Sequence, residues 1–284
     1  MTAANFCQPK CKLWKEKMKV AGIDVGSRTV KVVILEDSKI LSQSAIIAAD
    51  EAAVDAERAL DEALKGPPVM SREDLEYIVV TGTGRKDVPF ASKQRTSMTC
   101  LARGAYSLFP GARIIIDMGA ETCTVIKLDE RGRIMDSVGH DRCAAGTGIF
   151  LETMARLMQM SLDEMANLSL LAEREAEISN TCAVFAEQEV VSNIHRDPPT
   201  PKSEIIAGIH ASVAARIVGL CKRVGIKEDI VLTGGVAKNQ GLVKKLEEKM
   251  GSKVKLPERP QIVAALGAAL IARESQSETG WKGN

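Results

Sequence analysis

The fold is decided by the stretch Ile23-Asp24-Val25-Gly26, in which an apolar strand ends in a carboxylate and then a glycine. The same pattern recurs 93 residues further along the chain (117 − 24) as Ile116-Asp117-Met118-Gly119. Each copy is followed by a second apolar run, so that Val32 in the first copy corresponds to Val125 in the second. This repeat predicts an internal duplication, and therefore an α/β protein with two similar lobes that each contain a mixed sheet.

The composition is that of a globular protein with no strong charge preference. The chain has 284 residues, which is enough for two lobes with hydrophobic cores of their own. Its net charge of +1 gives no overall field that would favour nucleic acid or an anionic membrane as a partner. The sequence shows no apolar run of the ~18–20 residues that a membrane span needs, and its beginning lacks the apolar block of a signal peptide. We therefore expect a cytoplasmic protein.

The order of predicted elements divides the chain into three parts. Residues 1–18 are basic and are expected to form a flexible leader. Lobe I is expected to comprise residues 19–100 together with about 262–275, and lobe II is expected to comprise residues 101–261. Lobe II is mostly helical in its second half, but it includes a short apolar strand that ends in Thr233-Gly234-Gly235.

A tight glycine turn between two strands can bind a phosphate group, because its backbone N–H groups are open to an anion. A carboxylate beside such a turn repels phosphates unless a cation lies between them, so Asp24 is the predicted Mg²⁺ ligand. Asp24 and Asp117 are the candidate catalytic residues, which hold the metal or orient the attacking water. The sequence does not decide which residue positions that water. It contains neither a Walker loop nor a Rossmann fingerprint.

These two turns and the Thr233-Gly234-Gly235 loop resemble the superfamily that contains acetate and sugar kinases, heat-shock-type chaperone ATPases and actin. The resemblance covers most of the chain and implies a two-lobed actin-like (ribonuclease H-like) ATPase fold. It implies that Mg²⁺ and ATP bind between the lobes, with the adenosine against residues 231–237. The residues predicted to bind the nucleotide are Gly26, Ser27, Arg28, Thr29, Gly119, Ala120, Glu121, Gly146, Thr147, Gly234, Gly235 and Lys238.

Two cysteines, Cys143 and Cys182, stand directly before predicted helices. The positive field at a helix N-terminus stabilises a thiolate and any anionic group bound to it. A [4Fe–4S] cluster takes four thiolates, so two per chain would suffice only if a symmetric dimer shared one cluster between its subunits. From the residues alone an alternative stays open, that both cysteines are small apolar fillers near helix ends.

The segments around these cysteines are residues 143–152 (CAAGTGIFLE) and 181–190 (TCAVFAEQEV). They resemble the ATPase activators of 2-hydroxyacyl-CoA dehydratases and the related ATPase subunits of benzoyl-CoA reductases. The resemblance implies that Cys143 and Cys182 hold a [4Fe–4S] cluster between two identical or similar subunits. It also implies that ATP hydrolysis drives one low-potential electron into a partner iron–sulfur enzyme, and that a ferredoxin- or flavodoxin-like donor reduces the cluster again. The acceptor, its acyl-CoA and the choice between homodimer and heterodimer stay open.

The remaining cysteines and histidines have simpler expectations. Cysteines inside predicted elements are expected to fill the core, and histidines at no metal-like spacing are expected to have structural or surface roles. The role of a C-x₃-C pair in the leader, and of two glutamates in the cysteine motifs, stays open. The cysteines expected in the core are Cys100, Cys123 and Cys221, and the histidines are His140, His195 and His210. The leader pair is Cys7 and Cys11, and the two glutamates are Glu152 and Glu187.

Two other functions fit the nucleotide motifs alone. One is a small-molecule kinase of the same superfamily, which transfers the γ-phosphoryl group to a sugar or an acid. The other is a filament-forming ATPase like actin. Neither function uses the motifs around Cys143 and Cys182, so an electron-transferring ATPase is the favoured hypothesis.

Overall fold

The structure is a computed structural model that describes residues 18–140, 147–225 and 228–279. It contains two five-stranded mixed sheets. The strands of the first sheet are β1 (Lys19–Val25), β2 (Thr29–Glu36), β3 (Lys39–Ile47), β4 (Tyr77–Gly82) and β5 (Lys93–Gln94). Those of the second are β6 (Ile114–Met118), β7 (Cys123–Leu128), β8 (Ile134–His140), β9 (Ile230–Thr233) and β10 (Val254–Lys255).

Eight α-helices pack around these sheets in the described ranges. The first two lie between the sheets in sequence: α1 (Ala52–Leu64) and α2 (Ser97–Leu108). Four follow β8: α3 (Gly148–Leu157), α4 (Leu162–Ser169), α5 (Ala183–Ile194) and α6 (Lys202–Val224). The last two are α7 (Gln240–Met250) and α8 (Val263–Thr279).

The two sheets repeat one topology, which confirms the predicted duplication. β1 pairs antiparallel with β2 and parallel with β4, and β6 pairs antiparallel with β7 and parallel with β9. The strand orders β3-β2-β1-β4-β5 and β8-β7-β6-β9-β10 are therefore equivalent. The predicted fold class, an α/β protein with two mixed-sheet lobes, is correct. We keep residues 19–100 with 262–275, and residues 101–261, as the proposed extents of the lobes.

Each sheet is covered on both faces by apolar side chains. In the first sheet, α1 packs on the face that carries Ile23, and α8 packs on the face that carries Val20. In the second sheet, α6 and α7 cover the face of Ile116, whereas α2 and the start of α8 cover the face of Ile115. Burial on two sides explains why apolar residues run almost continuously through these strands instead of alternating with polar ones.

α8 approaches its neighbours at backbone distance, as its small residues predict. A β-carbon on Gly22 would collide with the backbone of Ala265 and Ala269, and one on Gly104 would collide with the carbonyl of Val263. A β-carbon on Gly267 would in turn collide with the Cys100 carbonyl. These glycines are therefore required by packing, because no side chain fits between the elements.

Two element boundaries differ from those that the sequence predicts. The Ala-, Glu- and Leu-rich composition of residues 48–65 predicts a helix from residue 48, but α1 begins at Ala52, because the backbone of Glu51 before it is extended (φ −67°, ψ 147°). The sequence Thr81-Gly82-Thr83-Gly84 predicts a turn, but Thr81 and Gly82 belong to β4, because they pair with Asp24 and Val25 of β1. Among the described residues one helix, α6, is long and apolar enough to cross a membrane by length and composition alone, but 78% of that stretch is buried inside the protein.

Candidate nucleotide-binding cleft

A cleft of about 470 Å³ lies between the two lobes, at the ends of β1, β4, β6 and β9. Both Asp–Gly hairpins and the loop after β9 face it. The predicted nucleotide-binding and catalytic residues that line it are Asp24, Gly26, Ser27, Arg28, Thr29, Asp117, Gly119, Ala120, Glu121, Gly234, Gly235 and Lys238. Thr147, also predicted, is buried at the start of α3 and does not line the cleft, whereas Gly146 lies outside the described residues.

The first hairpin places a cation directly beside its carboxylate. Gly26 N–H donates to the Thr29 carbonyl at 3.1 Å and closes the turn between β1 and β2. Asp24 and Lys31 are cross-strand partners, and Lys31 Nζ lies 3.1 Å from Asp24 Oδ2 and 3.2 Å from the Thr29 carbonyl oxygen. A β-carbon on Gly26 would lie 3.3 Å from Lys31 Nζ. A side chain at this position would therefore crowd the ammonium group of Lys31.

The second hairpin holds its carboxylate with a hydroxyl group. Gly119 N–H donates to the Thr122 carbonyl at 2.8 Å, and Thr233 Oγ1 donates to Asp117 Oδ1 at 2.8 Å. Burial raises the pKa of Asp117 to about 6, although the Thr233 hydrogen bond acts in the opposite direction; the nearby charge of Asp24 raises it further. Asp117 can therefore exchange a proton near neutral pH, which suits a group that orients and accepts a proton from water.

The parallel strands beside the hairpins end in equivalent Thr-Gly pairs. Gly82 has φ +96° and Gly234 has φ +90°, a conformation that glycine adopts without strain. A β-carbon on Gly82 would collide with the backbone of Val25, and one on Gly234 with the backbone of Met118. Both positions require glycine, because the chain there passes directly against the backbone at the end of the neighbouring strand.

An ion pair joins the two lobes across the cleft. Arg28, on the first hairpin, donates to Glu152 Oε2 at 2.7 Å, and Glu152 is on α3. The start of α3 is also bonded to the second hairpin, because Gly148 N–H donates to the Gly119 carbonyl at 3.0 Å and Ile149 N–H donates to the Ala120 carbonyl at 2.9 Å. α3 therefore contacts both hairpins. The sequence left the role of Glu152 open and gave no signal for Lys31.

The described cysteines fall into two groups. Cys100, Cys123 and Cys221 are buried, and burial raises the pKa of their thiols to about 11, 12 and 12, so their predicted core role is confirmed. Cys182 is partly exposed and stands at the N-cap position of α5, at the start of a helix as predicted. Cys143, Cys7 and Cys11 lie outside the described residues. Within residues 18–140, 147–225 and 228–279, no group of three or more His, Cys, Asp or Glu side chains could hold a metal.

Comparison with known proteins decides the family. The model of the BadF/BadG/BcrA/BcrD ATPase family matches residues 21–272. The chain belongs to this ATPase family. The chain is 43% identical over 258 residues to the activator of lactoyl-CoA dehydratase from Anaerotignum propionicum, covering 91% of this chain and 98% of that protein. It is 40% identical to the (R)-2-hydroxyglutaryl-CoA dehydratase activating ATPase from Acidaminococcus fermentans, covering 88% and 95%.

A solved structure supports the same conclusion for the fold. The activator of the 2-hydroxyisocaproyl-CoA dehydratase from Clostridium difficile, with bound ADPNP, superposes with a TM-score of 0.88 at 37% identity. The match covers 94% of this chain and 98% of that one. The chain thus has the predicted actin-like ATPase fold, and its resemblance to dehydratase activators is confirmed.

Proposed function

We propose that this protein hydrolyses ATP in the interlobe cleft and so drives one low-potential electron into a partner iron–sulfur enzyme. The acceptor is a 2-hydroxyacyl-CoA dehydratase, a benzoyl-CoA reductase or a related protein. The observation that carries the proposal is the position of α3, which is bonded to both hairpins of the cleft and follows the Cys143 segment in sequence. The relatives named as dehydratase activators support the same assignment.

The cleft residues supply the means to hold and cleave a triphosphate. Both hairpins line the cleft with tight glycine turns that suit a phosphate group, and Lys31 adds a cation beside the first one. Asp24 would hold Mg²⁺, and Asp117 would orient the attacking water, since its raised pKa allows it to take up a proton. The loop of Gly234, Gly235 and Lys238 would face the adenosine. Hydrolysis would change the charge between the hairpins. Because α3 is bonded to both hairpins, a change in their separation would move α3.

The thiol of Cys182 fits a cluster ligand. It is partly exposed at the N-terminus of α5, where backbone N–H groups favour an anionic group. Cys143 would be the second ligand, and a second subunit would supply two more. A [4Fe–4S] cluster bound there supplies a reversible one-electron couple at low potential. Val184, Phe185 and Val191 expose apolar surface on the same helix, which suits a second subunit, identical or similar.

The expected setting follows from this chemistry. A ferredoxin- or flavodoxin-like protein would reduce the activator, which would work in the cytoplasm without nucleic acid or membrane as a partner. Transfer in one direction needs ATP, because the acceptor must receive an electron at a lower potential than the donor delivers it.

Anaerobic purification and iron determination test the proposal. We expect a brown dimer with about four iron atoms, and loss of the colour in Cys143→Ser and in Cys182→Ser. Cys221→Ala, which changes a buried thiol far from the proposed ligands in sequence, is the control and should keep the iron. ATPase activity without any iron after reconstitution with iron and sulfide would refute the electron-transfer function and leave only an ATPase.

A further inference from the structure

A chain of hydrogen bonds lies in the core of the second lobe, where α4, α6 and α7 meet. His210 of α6 is fully buried, with Nδ1 at 3.0 Å from Ser169 Oγ and Nε2 at 3.2 Å from Asn239 Nδ2. Ser169 Oγ in turn donates to the Ala166 carbonyl at 3.0 Å. Neither the predicted catalytic residues nor the proposed cluster ligands take part in this chain.

The directions of these bonds follow from the chemistry of each group. Asn239 Oδ1 already accepts from Leu242 N–H at 3.0 Å, so its amide nitrogen faces His210 and donates. His210 Nε2 must then accept, which leaves the ring proton on Nδ1, where it donates to Ser169. Each of these bonds then joins one donor to one acceptor. A protonated ring would bring two donors together at Nε2, and burial lowers the His210 pKa to about 3, with the charge of Lys245 acting in the same direction.

Asn239 connects this chain to the nucleotide cleft. It caps the N-terminus of α7, it is 8% exposed, and it lines the cleft next to Lys238. Asn239 N–H also donates to the Val236 carbonyl at 2.9 Å, which closes the turn after Gly235. The side chain of Asn239 therefore holds the end of the loop that begins at Gly234, and His210 holds Asn239.

We infer that His210 is a positioning residue for nucleotide binding, which acts through Asn239 on the loop of residues 234–239. The inference rests on the proposed nucleotide cleft and deepens it. A side chain that only filled space here would be apolar, because a buried polar ring needs partners for both nitrogens to avoid a desolvation penalty. Gly241 supports the same point: a β-carbon there would collide with Ser169 Oγ and lie 2.9 Å from His210 Nδ1, so α7 is fitted closely to the ring.

Three variants separate positioning from stability. His210→Leu removes both bonds and leaves the Asn239 amide without its acceptor. His210→Gln can accept from Asn239 and donate to Ser169, and is the conservative rescue. His195→Leu, at an exposed histidine after α5, is the control. The measurements are the dissociation constant of MgADP by titration calorimetry, and KM and kcat of ATP hydrolysis.

We expect His210→Leu to raise the dissociation constant of MgADP and the KM for ATP about tenfold, with kcat changed less than twofold. His210→Gln should stay within about threefold of the wild type, and His195→Leu should match it. If His210→Leu does not fold, nitrogen-15 NMR of the wild-type histidines replaces it: the His210 ring should show the Nδ1–H tautomer, and its signals should shift when MgADP saturates the protein.

Two results would overturn the inference. One is a folded His210→Leu variant that loses stability but binds MgADP as the wild type does. The other is a His210 ring whose NMR signals do not respond to the nucleotide. A wild-type protein that binds no MgADP at all would instead refute the nucleotide cleft itself, so the two failures are distinguishable.

Discussion

The two hairpins of the cleft have the same backbone but hold their carboxylates in different ways. In the first, Asp24 faces the ammonium group of Lys31 across the β1–β2 pair. In the second, Asp117 faces the hydroxyl group of Thr233 across the β6–β9 pair, and its pKa rises to about 6. The duplication has thus preserved geometry while the chemistry has diverged. One carboxylate is paired with a cation, and the other is prepared to exchange a proton.

The largest effects are expected when the two carboxylates are exchanged for amides. Asp24→Asn should lower kcat for ATP hydrolysis by about 10²–10³-fold and raise the Mg²⁺ concentration for half-maximal activity. Asp117→Asn should lower kcat to a similar extent but leave the Mg²⁺ requirement unchanged. Steady-state ATPase assays across a Mg²⁺ titration check both. If the two variants depend on Mg²⁺ in the same way, the proposed division of roles is wrong.

A smaller effect is expected in the pH dependence of stability. The pKa of Asp117 is raised from 3.8 to about 6 on folding, so its stabilising contribution is full below pH 3.8 and is lost as pH rises through 6. The free energy of unfolding of the nucleotide-free wild type should therefore fall by about 3 kcal/mol relative to Asp117→Asn between these limits. Urea unfolding at several pH values measures it.

The control for this measurement is Asp61→Asn, because Asp61 is exposed on α1. Its stability should follow the wild-type pH dependence. A constant difference in stability between wild type and Asp117→Asn from pH 4 to pH 7 would contradict the raised pKa.

The smallest effect is expected at the ion pair that connects the lobes. The side chains of Arg28 and Glu152 are 54% and 35% exposed, so solvent screens the pair and it contributes little to stability. Glu152→Gln should leave the melting temperature nearly unchanged and change the rate of ATP turnover only slightly. This difference from the wild type should disappear at high salt, because salt screens the ion pair in the wild type. Turnover that is strongly reduced at every salt concentration would instead show that Glu152 acts directly on the nucleotide.

The backbone of the cleft could be predicted from the sequence, but its side-chain partners could not. The Asp–Gly hairpins and the Gly234 loop have local signatures, because a strand followed by a glycine turn involves adjacent residues. Lys31 has no such signature: a lysine in a strand usually faces solvent, and only the β1–β2 register places it opposite Asp24.

Contacts between residues that are distant in the sequence could not be predicted from it. The bond between Thr233 and Asp117 depends on the register of two parallel strands that are far apart in the sequence, and the pair of Arg28 and Glu152 depends on how the lobes meet. His210 gave no signal beyond its expected structural role, because its partners come from two other helices. Local turns are encoded locally, whereas contacts between elements follow from packing.

The position of α8 has a consequence for how the protein is made. The face of the first sheet that carries Val20, Val33 and Val79 is covered by α8, whose residues are translated after both sheets. Until α8 is synthesised, this face lacks the helix that covers it in the native structure. The space beside Gly22 admits only the backbone of α8, not a side chain. The first lobe therefore cannot complete its core ahead of the second, although N-terminal units generally fold first on the ribosome. The first sheet to be synthesised therefore remains the longest without the helix that completes its core.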